Sequence, residues 1–467
     1  MTEPKPTDCI YCGAPAGSAE HTVLAALGGL RTDRGILCGT CNRGFGETID
    51  RVLADDMKPI NAIVGVMNGR TRDPIATIAK DAATGRSYVL TNGRRLEHPD
   101  AVVVSDSTRD GVRSIWAVAS NQKQADDLVH RLKQDGKGTT VTSREVIPHL
   151  FASTPTVQWN FGGTDTFRCV ARLVVNILAS FRPGLARGEW LVPLKRFIRE
   201  GGDHEPWVNY AYGLSPAPPS FRFDFAHRFS ITFDAGSGDV RAHVSLLGVM
   251  ELSVRLGTAT IEETETITYE MDVLAQSPPN DIVVTTFPGT VTLPAACTED
   301  PSVHVPERLA RLLAKRDERV WAQDAPKLLA SINAARDVEP FDQHDVVMEA
   351  LASQRQRLLN LASLVARRIR CHVTTTVGDA EGASVGDAFD LLVAPSGSSR
   401  TGVTDLTQVH AEMLCNVMAD HIVDVLRERQ IESDELRLLL EGSRGTAIVG
   451  RFMLEQLQEG GHPLLIE

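Results

Sequence analysis

Along the chain the spacing of apolar residues changes character several times, and these changes mark out the elements. Phe167, Ala171, Val174, Val175, Leu178 and Phe181 recur every three to four residues, the period of one face of an α-helix. A second helix is predicted over Glu189–Arg199, stopped by Gly201-Gly202. After the proline-rich stretch Ser215–Ser220 the period falls to two. Phe229–Phe233 and His243–Val254 alternate as half-buried strands do, so an antiparallel sheet is expected within 221–290. From Pro306 the helical period returns over 306–333, 344–370, 405–430 and 433–458. Only a hairpin-like stretch at 371–395, punctuated by Gly378, Gly382 and Gly386, breaks it. Between 70 and 150 the pattern is mixed, with strands expected over Arg86–Gly93 and Ala101–Ser105. An amphipathic helix is expected over Asn121–Gln134, with Ala125, Leu128 and Leu132 on one side. The fold class read from this pattern is α+β and multidomain.

The first 41 residues obey another rule, set by cysteine. Four of the eight cysteines stand there as two pairs, Cys9-Ile-Tyr-Cys12 and Cys38-Gly-Thr-Cys41. A two-residue gap lets both thiolates of one turn face a single ion, and two such turns make a closed tetrahedral sulfur site. Such a site suits structural zinc. A redox pair is the competing reading, and one that two pairs at once disfavour. Cys169 and Cys415 fall in helical apolar patterns, as small core residues do. The gap of 25 residues between the pairs, 13–37, is long for a zinc ribbon and holds Glu20-His21 and Gly28-Gly29. The second pair runs into Asn42-Arg43-Gly44 and an apolar helix expected from about Glu47.

Taken in order, Cys9, Cys12, Glu20-His21, Gly28-Gly29, Cys38, Cys41-Asn42 and Gly44 resemble the HNH (His-Asn-His) endonucleases of the four-cysteine zinc subgroup. The resemblance covers about residues 8–58. It implies a ββα-metal fold that hydrolyses phosphodiester bonds of nucleic acid, DNA favoured. Glu20 and Asn42 would hold a catalytic Mg²⁺ or Mn²⁺, and His21 would activate water. These roles suit the residue types, since hard oxygen donors take those ions and histidine titrates near neutrality. Asn42 has the alternative of capping the helix that follows. Two positions depart from the family. Leu24 stands where proline is common, and the orienting middle asparagine is missing from Arg31–Gly35, where Asp33 is the substitute. Arg43 is a phosphate clamp by chemistry, and Asp50 sits about two helical turns beyond Asn42.

With that resemblance the chain divides into an HNH-like zinc module (1–65), a small α/β region (66–160), a helix pair plus antiparallel sheet (161–295) and a mainly helical region (296–467). The 467 residues carry 48 basic and 60 acidic side chains, a net charge of −12, which excludes a uniformly basic nucleic-acid coat. The module is itself slightly acidic, with six Lys/Arg against eight Asp/Glu in 1–60, so affinity must come from elsewhere. Segment 165–200 is the basic exception, with seven Lys/Arg against three acids. Lys195, Arg196 and Arg199, with Arg43, are its candidate backbone-phosphate contacts. Arg308, Arg311, Lys315, Arg316 and Arg319 share a helix face, and Arg367, Arg368 and Arg370 end another. For both groups ordinary solvation competes with phosphate contact. No apolar run is long enough for a membrane span and the start lacks a secretory signal, so a cytoplasmic location is expected.

The resemblance and the acidic, modular layout together point to a regulated effector of bacterial self-defence. A protein partner or second copy is expected at the C-terminal region, a short prokaryotic Argonaute being one form. The alternative is a catalytically degenerate, zinc-stabilised scaffold that binds nucleic acid or protein.

Overall fold

The structure, a computed structural model, describes residues 8–81, 87–91, 95–97, 102–109, 112–118, 122–135, 155–212, 222–278, 281–288, 301–355, 357–362, 364–365 and 403–459. The expected hairpin at 371–395, Arg367, Arg368, Arg370, His372, Cys297 and Cys371 lie outside them. The fold is α+β, built of helices and antiparallel sheets, with a four-cysteine cluster near its start. Two compact units are present: Met1–Ile78 with Val89–Leu96 and Val157–Asp317, and Ala79–Tyr88 with Glu97–Thr156 and Glu318–Glu467.

The first unit begins with a short antiparallel hairpin, β1 (Glu20–His21) and β2 (Thr32–Asp33), in which Glu20 faces Asp33 and His21 faces Thr32. Its connection makes a 3-10 turn at Ala25–Leu27 that ends at Gly28, whose φ of +86° a side chain would resist. At Gly29 a Cβ would lie 1.8 Å from the Val23 carbonyl oxygen, so only glycine fits there. Two helices follow, α1 (Gly39–Glu47) and α2 (Ile49–Val64). The helix expected from about Glu47 thus starts earlier, because the Cys38 thiol accepts the Cys41 N–H at 3.4 Å and caps α1. Thr48 separates the two helices, its hydroxyl donating to the Gly44 carbonyl at 2.7 Å.

Helix α3 (Thr164–Phe181) is the centre of this unit. From Thr166 to Ala179 every residue except Arg168 is buried, the mark of a helix covered on all sides. It packs on α2 and on two strands of the main sheet. Helix α4 is Val192–Glu200, with the expected start at Glu189 forming a 3-10 turn instead. The sheet holds β3 (Val208–Tyr210), β4 (Ala226–Phe233), β5 (Asp239–Leu246), β6 (Met250–Thr258), β7 (Glu265–Asp272) and β8 (Ile282–Pro288), all antiparallel, in the order β8-β7-β4-β5-β6-β3. Phe229 pairs across to Val244 and Tyr269, and Ile231 to Ala242 and Ile267, which lays the apolar alternation on one core. Helix α5 (Pro301–Ala334) starts in this unit, where Leu312 joins the core and Arg308 meets Glu251 at 3.0 Å.

The second unit has its own core. It gathers Trp321, Ile332, Val347, Leu351, Leu358, Met418, Ile422 and Leu439 from α5, α6 (Gln343–Leu351), the residues after α6, α7 (Val403–Glu428) and α8 (Ser433–Leu440). The expected helix 433–458 is two helices, α8 and α9 (Ser443–Glu459), separated at Glu441-Gly442. The expected 344–370 helix is interrupted by a 3-10 turn at Ala352–Gln354. Asn333 ties α5 to the α7–α8 connection, donating to the Ile431 carbonyl at 3.0 Å and accepting the Ile431 N–H at 2.9 Å. A hairpin of Val102–Arg109 with Val112–Val118 and a helix at Gln122–Asp135 also belong to this unit. Among the described residues no helix is long and apolar enough to cross a membrane.

Candidate metal centre and the histidine beside it

The two cysteine pairs meet. The first sits on a tight turn where Cys9 N–H donates to the Ala14 carbonyl at 2.7 Å and Gly13 N–H to the Cys9 carbonyl at 3.0 Å. The second opens α1, and the two segments are joined by Ile10 N–H on the Ile36 carbonyl at 3.1 Å. All four sulfurs lie within 4.8 Å of one another, and the Cys12 and Cys38 sulfurs are 3.6 Å apart. Sulfurs placed about 2.3 Å from a central zinc in a tetrahedron are separated by about 3.8 Å, so the group fits that ion. The Cys41 N–H donated to Cys38 lowers the Cys38 thiol to about 7, while burial raises that of Cys41.

Glu20 is 4 % exposed, and its Oε1 accepts from Arg172 Nη1 at 2.5 Å and Asn176 Nδ2 at 3.3 Å. The other guanidinium nitrogen, Nη2, meets Asp50 Oδ1 at 2.7 Å. Arg172 is fully buried and also lies over the Phe45 ring, 5.3 Å from its centroid. Burial works against the charge of this guanidinium, but Asp50 and Glu20 outweigh it and raise its pKa. One cation faces two carboxylates, so burial and the nearby Asp50 push the Glu20 carboxyl up despite Arg172. Asp50 therefore faces neither solvent nor open space but closes this buried triad.

His21 is 9 % exposed. Its ring meets the backbone of Gly29, while Nδ1 is buried without a partner. Burial and the positive charge of Arg70 lower the His21 pKa, against the upward pull of the Gly29 contact. Asp33, the expected orienting group, is engaged elsewhere, its Oδ1 accepting the Gly35 N–H at 2.7 Å. Strand pairing sets it opposite Glu20 and not His21, so the backbone of Gly29 is what meets the ring. Asn42 lies in the first turns of α1, and its Nδ2 donates to Ser18 Oγ at 2.6 Å. It is not the helix cap, because Cys38 fills that place. Among the described residues, Asn42 Oδ1 and Glu20 Oε2 carry no hydrogen bond.

Of the basic candidates, Arg43 is exposed on α1. Lys195 is 7 % exposed, and burial with Arg187 nearby lowers its ammonium to about 8. Arg196 pairs with Glu200 at 3.0 Å, and Arg199 donates to the Tyr11 carbonyl at 3.2 Å. Lys195, Arg196 and Arg199, with Arg187, line a cleft of about 430 Å³ beside Cys9. On α5, Arg308, Arg311 and Arg316 each pair with a carboxylate.

Arg172, one of the seven basic residues of 165–200, is thus a buried partner of Glu20 and not a surface cation, and Asn176 joins it. The available signal was a lone charge inside the otherwise apolar run Cys169–Leu173, which calls for a buried partner. Compared with family models, curated proteins and solved structures, the chain matches none of them.

Proposed function

We propose that the N-terminal module is a metal-dependent endonuclease of the HNH type that hydrolyses phosphodiester bonds of nucleic acid, DNA favoured. The observation that carries this reading is His21, whose ring rests on Gly29 and whose buried Nδ1 has no hydrogen-bond partner. A carbonyl that takes the proton of one ring nitrogen leaves the other as a lone pair, the form a general base requires. Its setting supports the same reading, because the acid-histidine step lies on the first strand of a hairpin followed by a helix that bears Asn42. In hydrolysis Nδ1 takes a proton from water as the water oxygen bonds to phosphorus. The bond from phosphorus to the leaving sugar oxygen then breaks, and that oxygen is protonated from solvent. Glu20 Oε2 and Asn42 Oδ1 would hold the Mg²⁺ or Mn²⁺, which supplies charge neutralisation at the phosphate. The role we assign to the remainder is targeting and regulation, with a partner protein or second copy at the C-terminal region.

A second reading, a zinc-stabilised scaffold without catalysis, is favoured by the clamp of Arg172 and Asn176 on Glu20. Manganese binding separates the two. The nuclease reading expects one weakly held Mn²⁺ per zinc-loaded chain by electron paramagnetic resonance, lost in Glu20→Gln and Asn42→Ala. No Mn²⁺ bound in the wild type, with or without oligonucleotide, would leave the scaffold reading.

A further inference from the structure

The loop after α2 is built to deliver one side chain to the His21 face. Gly69 N–H donates to the Ala25 carbonyl at 2.8 Å, and Asn61 Nδ2 donates to the Ala26 carbonyl at 2.9 Å. These bonds dock the loop on the turn between β1 and β2. The approach is so close that a Cβ at Gly69 would lie 1.8 Å from the Gly29 carbonyl oxygen. Gly29 is the residue whose backbone meets the His21 ring. The loop is also held internally, since Asn68 Oδ1 accepts the N–H groups of Arg70 at 2.9 Å and Thr71 at 3.2 Å. Arg72, in the left-handed region at φ +63°, anchors the far side through Nη2 on the Gln276 carbonyl at 2.8 Å.

Between these fixed points stands Arg70. It is exposed, and among the described residues its guanidinium has no carboxylate or carbonyl partner. Its charge reaches both His21 and Glu20. An exposed arginine on a loop docked against Gly29, its charge acting on His21 and left without a counter-ion among the described residues, is arranged for an anion arriving from outside. Arginine's planar fork suits two phosphate oxygens at once. We infer that Arg70 grips the backbone phosphate of nucleic acid beside His21. This deepens the nuclease reading and rests on it. Arg70 lies outside the stretch that resembles the HNH family.

The experiment uses the full-length, zinc-loaded chain and three variants, Arg70→Ala, Arg70→Lys and the control Arg51→Ala. Arg51 is an exposed residue of α2 that pairs with Asp55 at 3.8 Å. Single-turnover cleavage of a 12-base-pair fluorescent DNA duplex is read with Mg²⁺ or Mn²⁺. The salt dependence of duplex binding is read in a His21→Ala background. The expected result is cleavage about 100-fold slower in Arg70→Ala, an intermediate rate in Arg70→Lys, and no change in Arg51→Ala. The salt slope of binding should fall by about 0.9, one phosphate contact, in Arg70→Ala alone. Wild-type cleavage with Arg70→Ala equal to it in rate and slope would overturn the role of Arg70 and leave the nuclease reading standing. Binding with an Arg70-dependent slope but no cleavage would remove the nuclease reading and keep Arg70 as a phosphate-binding residue. A wild-type chain that neither binds nor cleaves the duplex would overturn both.

Discussion

A histidine works as a base only when neutral, and His21 is held toward that form by burial and by Arg70. Its folded pKa lies below the ordinary 6.5, so the unfolded chain binds the proton more readily in the interval beneath 6.5. Stability from this residue is therefore fully present above about pH 6.5 and is lost as pH falls toward the folded value. His227, fully buried on β4 against the Leu27 backbone, follows the same sign with its pKa lowered to about 3 by burial. Denaturant unfolding measured from pH 7 to pH 4 should show stability falling with acid, with a shallower slope in His227→Gln. For catalysis, the acid limb of the cleavage rate should lie below pH 6.5 and move upward in Arg70→Ala. The triad at Arg172 gives a second expectation. Arg172→Ala leaves Glu20 and Asp50 buried without their cation and should cost about 3–5 kcal/mol in equilibrium unfolding. The loss should shrink at low pH, where both carboxyls protonate.

At the scale of elements, the metal and the helix are one construction, because Cys38 is both a sulfur of the cluster and the cap of α1. One zinc per chain is expected by elemental analysis. Cys38→Ser or prolonged chelation should remove it together with the helical signal of α1, since structural zinc contributes folding free energy directly. The cluster was readable from spacing alone, because a Cys-x-x-Cys turn carries its own geometry. The onset of α1 was not, since a cysteine is not among the usual helix caps. The contact on the His21 ring comes from the backbone of Gly29 and not from a side chain of Arg31–Gly35, and no residue type announces a backbone partner. The sheet within 221–290 and the helices flanking Pro183 were readable because their periods are strict, whereas α8 and α9 merged into one stretch because a brief turn does not disturb a helical repeat.

Among the described residues one core lies around α3 and the six-stranded sheet and another among α5–α9. Ile332 is fully buried in the second, so Ile332→Ala should lower that unit's stability by about 2–5 kcal/mol while zinc content stays unchanged. With a net charge of −12, the proposed nucleic-acid affinity would depend on a few placed cations and on low salt, which is why single arginines such as Arg70 are expected to be felt. The central claim is that His21 is the base of a nuclease built on the zinc cluster. The most direct test is cleavage of supercoiled plasmid by the zinc-loaded chain with Mg²⁺ or Mn²⁺, run beside His21→Ala of equal zinc content. The account predicts nicked or linear product from the wild type and at least about a hundredfold less from the variant. Equal cleavage by both proteins, or none by the wild type with either metal, would contradict it.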